Sequence, residues 1–257
     1  MEKLAGKCVL VCGGATGIGA ETVRRLVSEG ARVAVGDINL EGARRVADGL
    51  AGEHSGAGDV TAWHYNQADE SSINALVDKA TAHFGRLDGL FANVADIGAV
   101  VEETDLLGNA ISLWRRTLDV NLIGTAALLK AALPTMLDQG GGAMVLTSSD
   151  AHIVGEGERP AYAASKAGVN TLSRHIATKW GNKGVRCNVV SPGFILTEQL
   201  DQNMPQEMKD MMLKGVRSTR HGRAQDIAGA VAFLLSSEAE WVNGQVWRVN
   251  GGVSFGN

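Results

Sequence analysis

The sequence predicts a single α/β domain: a doubly wound, mainly parallel seven-stranded sheet with helices on both faces. Three observations point there. Short β-branched runs alternate with longer segments of helical period, the signature of right-handed strand–helix–strand crossovers. The first such run opens directly into a glycine cluster that starts a helix. No composition break, linker or internal repeat divides the 257 residues, a length that suits one large core.

The strand candidates are residues 8–11, 31–35, 60–65, 89–93, 143–147, 185–190 and 245–249. Helices fill the gaps. Val23, Leu26 and Val27 fall on one helical face, and Ile73, Leu76 and Val77 repeat that spacing, so each segment reads as an amphipathic helix lying on a sheet. Two stretches break the rhythm. Residues 52–58 form a glycine-rich connection, and residues 194–223 are long, poor in strand signals and carry Met204, Met208, Met211 and Met212. A segment of that kind after a late strand, at the carboxyl end of a parallel sheet, suits a substrate lid with an adaptable apolar wall. The alternative is a surface helix whose methionines fill the core.

Composition excludes several classes. Thirty-three glycines against four prolines, mostly set between apolar runs, indicate tight turns and not a low-complexity linker. The net charge of -4, with acids and bases interspersed, leaves no basic stripe for a nucleic-acid backbone or an anionic membrane. No apolar run is expected to reach the roughly 20 residues that span a bilayer. The start, Met1-Glu2-Lys3-Leu4-Ala5-Gly6-Lys7, lacks the apolar core of a signal peptide, so a cytoplasmic location is expected. Cys8, Cys12 and Cys187 are few, odd in number and placed in or beside strands, which suits buried thiols; no metal site is expected.

The cluster Cys12-Gly13-Gly14-Ala15-Thr16-Gly17-Ile18-Gly19 leads into a helix expected near Ala20. A dinucleotide pyrophosphate needs bare backbone at such a turn, and the helix N-terminus offers unpaired N–H groups and partial positive charge. Asp37, 20 residues beyond Gly17 at the end of the second strand, supplies an acceptor for adenosine ribose hydroxyls. Its charge would repel the extra phosphate of NADP, and Thr16 offers no cation to hold that phosphate, so NAD is the expected cofactor.

Tyr162-Ala163-Ala164-Ser165-Lys166 sets a phenol and an ammonium one helical turn apart on one face. A phenol of ordinary pKa near 10 is a poor base at neutrality; moving it toward 7 takes about 4 kcal/mol of preferential phenolate stabilisation. Spacing of this kind arises by chance when taken alone. Here Ser148-Ser149 closes a strand candidate at its carboxyl edge, with Ser149 13 residues before Tyr162, and a hydroxyl there could hold a carbonyl oxygen. Asn121 follows the helical run 113–120, where a buried amide needs a special reason or a water.

With these residues in order, the chain resembles the short-chain dehydrogenase/reductase family over essentially its whole length. The resemblance rests on Gly13-x-x-x-Gly17-Ile18-Gly19, Asp37, Asn93, Asn121, Ser149, Tyr162-x-x-x-Lys166, Pro192-Gly193 and Asn243-Gly244-Gln245-Val246. It implies a Rossmann-type NAD-binding domain and a catalytic tetrad: Tyr162 exchanges the proton, Ser149 orients the substrate oxygen, Lys166 binds the nicotinamide ribose and lowers the tyrosine pKa, and Asn121 anchors a relay water. It further implies cofactor contacts from Gly13, Thr16, Gly17, Ile18, Gly19, Asp37, Asn66, Asn93, Tyr162 and Lys166, with Pro192, Gly193, Ile195 and Thr197 around the nicotinamide, and a homotetramer. The chain departs from the family's usual Asn-Asn-Ala-Gly with Ala92-Asn93-Val94-Ala95, and carries Asn66 where an adenine-contacting Asp is usual. An amide still donates and accepts, so NAD binding is expected to survive.

Between Ser149 and Tyr162 the chain is polar, with Asp150, His152, Glu156, Glu158 and Arg159; His152 is more often a packing residue than a second base, and the last three suit a solvated turn. The expected activity is hydride transfer between nicotinamide and a secondary alcohol or ketone of moderate size. An NADPH-dependent 3-oxoacyl thioester reductase is the alternative, opposed by Asp37; a non-catalytic dinucleotide sensor is opposed by the presence of both Tyr162 and Lys166. A sugar-nucleotide epimerase would need more chain after the last strand.

Overall fold

The computed structural model describes residues 3–50 and 60–255, so the glycine-rich connection expected at 52–58 lies outside the described residues. In chain order the elements are β1 (Cys8–Cys12), α1 (Gly17–Ser28), β2 (Arg32–Asp37), α2 (Leu40–Leu50), β3 (Val60–His64), α3 (Glu70–Phe84), β4 (Gly89–Ala92), α4 (Ile97–Glu102) and α5 (Ile111–Leu118). A π turn (Asp119–Ile123) joins α5 to α6 (Gly124–Asp138). There follow β5 (Gly142–Thr147), α7 (Ala151–Val154), α8 (Pro160–Trp180), β6 (Val185–Pro192), α9 (Glu198–Asn203), α10 (Gln206–Gly215), α11 (Ala224–Leu235) and β7 (Val246–Val249). All seven strand candidates are strands.

The sheet runs β3-β2-β1-β4-β5-β6-β7, and every one of its pairings is parallel. Burial on both faces explains the near-continuous apolar strands. In β1 the two-residue period sends Val9 and Val11 to one core, with α1, α2 and α11, and Cys8, Leu10 and Cys12 to the other, with α3, α6 and α8. All three cysteines are free and buried. The order reverses between β1 and β4, which opens a crevice beyond the carboxyl ends of those neighbouring strands.

Two expectations are corrected here. The helix after the glycine cluster begins at Gly17 and not near Ala20. One run among the described residues, Ile111–Asp138, is long and apolar enough to cross a membrane by length and composition, with a mean hydropathy of 1.4. Its apolar side chains have another partner: Leu128, Leu129, Ala132, Leu133 and Met136 fill the core shared with α3 and the sheet.

Candidate active site

The glycine turn is built by residues that a side chain would break. Gly13 and Gly17 have φ of +82° and +54°, in the left-handed region that glycine alone enters freely. A Cβ on Gly19 would sit 1.8 Å from the Gly13 carbonyl oxygen, so the first turn of α1 can lie against the loop only with glycine there. Thr16, before the helix, is extended, and its side chain caps none of the helix amides. Asp37 closes β2 and reaches back over the loop, accepting from the amides of Ala15 and Asn39, each at 2.9 Å. Such a cradle fits the pyrophosphate and ribose of a dinucleotide, on the strength of the backbone approach that Gly13 and Gly17 permit and the acid at the end of β2.

From this turn a chain of hydrogen bonds crosses the crevice. Asn93, just past β4, donates to the Gly13 carbonyl at 3.2 Å and accepts from the Thr147 hydroxyl at 3.0 Å. Thr147 ends β5, and its carbonyl accepts from Lys166 Nζ at 2.8 Å. Lys166 lies on α8, and its ammonium is 5.7 Å from the centre of the Tyr162 ring, as the four-residue spacing requires. Ser149, on the turn after β5, lines the same cleft as the Tyr162 phenol, and its Oγ accepts from the Ala151 amide at 3.2 Å.

Burial governs the electrostatics. It pushes the Lys166 ammonium down to about 8. It holds the Tyr162 phenol above its ordinary range; the Ser149 hydroxyl and the Arg159 guanidinium work against that, and the Glu156 and Glu103 carboxylates add to it. The phenol is therefore protonated at neutrality, so its conversion to a base depends on charge brought beside it.

One cleft of about 2010 Å³ collects most of the expected residues: Gly13, Thr16, Gly17, Ile18, Asp37, Asn66, Asn93, Ser149, Tyr162, Lys166, Pro192, Gly193, Ile195 and Thr197. Two expected residues stand outside its wall. Gly19 serves packing, as its contact with Gly13 shows. Asn121 is fully buried within the π turn behind Tyr162; its Oδ1 accepts from the Asp96 amide at 2.9 Å and its Nδ2 donates to Ser165 Oγ at 3.3 Å. The buried amide thus has its special reason in a local break of the helix. Residues 194–223 include α9 and α10, and the segment walls the cleft with Leu196, Leu200 and Leu213; the four methionines are not among its lining. Met208, Met211 and Met212 face outward, at 42%, 60% and 37% exposure.

Sequence reasoning missed Gln67 and Asp150 as supports of the site. Gln67, 3% exposed, donates to the Val120 carbonyl at 2.8 Å and accepts from the Tyr65 hydroxyl at 3.0 Å, serving a carbonyl within the π turn. Asp150, beside Ser149, accepts from Ser191 Oγ at 2.9 Å, Ser254 Oγ at 2.7 Å and the Asn250 amide, pinning the C-terminal segment to the serine turn. His152 contacts the Ser149 carbonyl and the Asn170 amide and is absent from the cleft lining, in keeping with a packing residue. A polar residue directly after Ser149 was the signal for Asp150; nothing in the sequence marked Gln67.

A family model described as enoyl-(acyl carrier protein) reductase matches residues 13–254. The chain is 34% identical over 258 residues to the 7alpha-hydroxysteroid dehydrogenase of Bacteroides fragilis, covering 100% of this chain and 98% of that protein. The chain belongs to the short-chain dehydrogenase/reductase family. Its members are oxidoreductases. Within this family the chain is also 36% identical to the D-threitol dehydrogenase of Mycolicibacterium smegmatis, over 98% of this chain and 95% of that one. It is 34% identical to a 3-oxoacyl-[acyl-carrier-protein] reductase of Staphylococcus aureus, over 96% and 98%. The solved structure of a 7α-hydroxysteroid dehydrogenase complexed with NADH and 7-oxo glycochenodeoxycholic acid superposes with a TM-score of 0.89, at 32% identity, over 98% of this chain and 95% of that one.

Proposed function

We propose that this short-chain dehydrogenase/reductase is NAD-dependent and moves a hydride between nicotinamide and the carbon of a secondary alcohol or ketone, with Tyr162 as general acid and base. The observation that carries this reading is the meeting of Ser149, Tyr162 and Lys166 with Asp37 and the glycine turn in one cleft. Nicotinamide, when bound, supplies the hydride acceptor or donor and, when oxidised, a positive charge. The remaining work belongs to the chain. Gly13, Thr16, Gly17 and Ile18 bind the pyrophosphate, Asp37 the adenosine ribose, Asn66 the adenine edge, and Asn93, Pro192, Gly193, Ile195 and Thr197 the nicotinamide half, with Gly19 holding the turn closed. Ser149 donates to the substrate oxygen while Tyr162 exchanges its proton, and Lys166 binds the nicotinamide ribose and stabilises the phenolate. Asn121 holds the relay behind them.

The relatives named for hydroxysteroid and threitol oxidation support an alcohol or ketone substrate, and the segment 194–223 serves as its lid, with Leu196, Leu200 and Leu213 as the apolar wall. The second reading, an NADPH-dependent reductase of 3-oxoacyl thioesters, draws on the 3-oxoacyl reductase relative; Asp37 favours the first. A cytoplasmic homotetramer completes the proposal.

Steady-state assays of the purified protein with NAD and NADP, against secondary alcohols and ketones of graded size and a 3-oxoacyl thioester, test it. NAD-linked turnover of alcohols is expected. Asp37→Asn keeps an acceptor for the Ala15 amide and removes the charge, so it should cut the preference for NAD over NADP by about tenfold or more. Unchanged discrimination, or turnover of the thioester with NADPH alone, contradicts the reading.

A further inference from the structure

The helix that carries Tyr162 has an unusual start. Its first residue is Pro160, which has no N–H. The residue before it, Arg159, is the one non-glycine among the described residues with a positive φ, 61°, and its side chain offers no acceptor to cap the helix. Ala163 finds the Arg159 carbonyl at 3.0 Å. The amides of Ala161 and Tyr162 are thus the orphans of the first turn. Both donate to one oxygen of Glu103, at 3.0 and 3.1 Å. The other carboxylate oxygen accepts from the Thr117 hydroxyl of α5 at 3.0 Å. The Arg159 amide donates to the carbonyl of Thr104, next to Glu103, at 2.9 Å, which fixes the same junction a second time.

We propose that Glu103 is a positioning residue for catalysis: its buried carboxylate holds the first turn of α8, and with it the Tyr162 phenol, at the substrate cleft. The inference rests on Tyr162 as the proton-exchanging group. A carboxylate only 4% exposed that meets neutral donors is costly to bury, and its place at a helix N-terminus is the one where its charge is favoured. It arrives from 58 residues earlier in the chain, directly after α4, whose Ile97 and Val101 line the cleft. The Glu103 side chain therefore ties the substrate wall to the first turn that carries the reacting phenol. Without that tie the turn can relax around the strained Arg159, and small displacements of a reacting group are expensive in rate.

Glu103→Ala, Glu103→Gln and Thr117→Val test this, with Tyr162→Phe alongside. Glu103→Ala should lower kcat by about ten- to a hundredfold while KM for NAD stays within about twofold of the parent. Exchange of the Ala161 and Tyr162 amides with deuterium should quicken by about tenfold or more. In Glu103→Gln the amide oxygen can accept from the helix and the NH2 can donate to Thr117, so kcat and exchange should stay within about threefold of the parent. Thr117→Val loosens the carboxylate without removing it, and its kcat should fall by about threefold even if Glu103→Ala does not fold. A Glu103→Ala kcat within about twofold of the parent, or a glutamine variant as impaired as the alanine one, overturns the proposal. Full turnover by Tyr162→Phe would instead overturn the role of Tyr162; the exchange measurement, which needs no turnover, still decides whether Glu103 holds the helix.

Discussion

At the scale of single residues, Lys166 shows what the site costs the fold. It is 2% exposed, and burial brings its pKa from 10.5 to about 8. Below about pH 8 the folded protein carries this charge inside. From there to about 10.5 the folded chain holds one proton fewer than the unfolded chain, so stability rises with pH across that window. Lys166→Met lacks the group. Urea unfolding of both proteins should therefore show the parent gaining on the variant by up to about 3 kcal/mol between those limits. A gap that stays flat there would mean the ammonium is not desolvated. The pairing of Lys166 with Tyr162 was legible because helix period alone fixes it. The groups that serve the pair, Thr147, Ser149 and Glu103, come from other elements; of these, only Ser149 was marked by its place at a strand end.

At the scale of elements, the π turn between α5 and α6 decides where Asn121 points, and Gln67 is the strut under it. Gly124 makes room for that strut, since a Cβ there would lie 2.3 Å from the Gln67 carbonyl oxygen. Gln67→Leu leaves the Val120 carbonyl without its side-chain donor, a loss of about 1–3 kcal/mol that should lower the melting temperature by several degrees. Calorimetry that finds no change would show that the turn supports itself. Strands were readable to within a residue or two because each is an apolar run cut off by a turn. The π turn was not, because the side chain that meets its Val120 carbonyl is a glutamine from the loop after β3, far away in sequence. The segment 194–223 was readable as a break in rhythm, but composition could not tell which side of α9 and α10 would face the cleft, and the leucines took the place expected of the methionines.

At the scale of the whole molecule, the reversal of strand order between β1 and β4 gathers the site. It sets the glycine turn, Asn93 and the end of β5 side by side, and the hydrogen bonds from Gly13 through Asn93 and Thr147 to Lys166 run along that edge. The doubly wound parallel sheet followed from the alternation of strands and helices; the order of its strands, and the hydrogen bonds along that edge, did not. The central claim is that the phenol gathered there exchanges the proton during hydride transfer. It is tested most directly by the turnover number of Tyr162→Phe in NAD-linked alcohol oxidation, with NAD affinity measured on the same sample. The account predicts a fall of at least about a hundredfold with NAD binding retained; turnover within about twofold of the parent would contradict it.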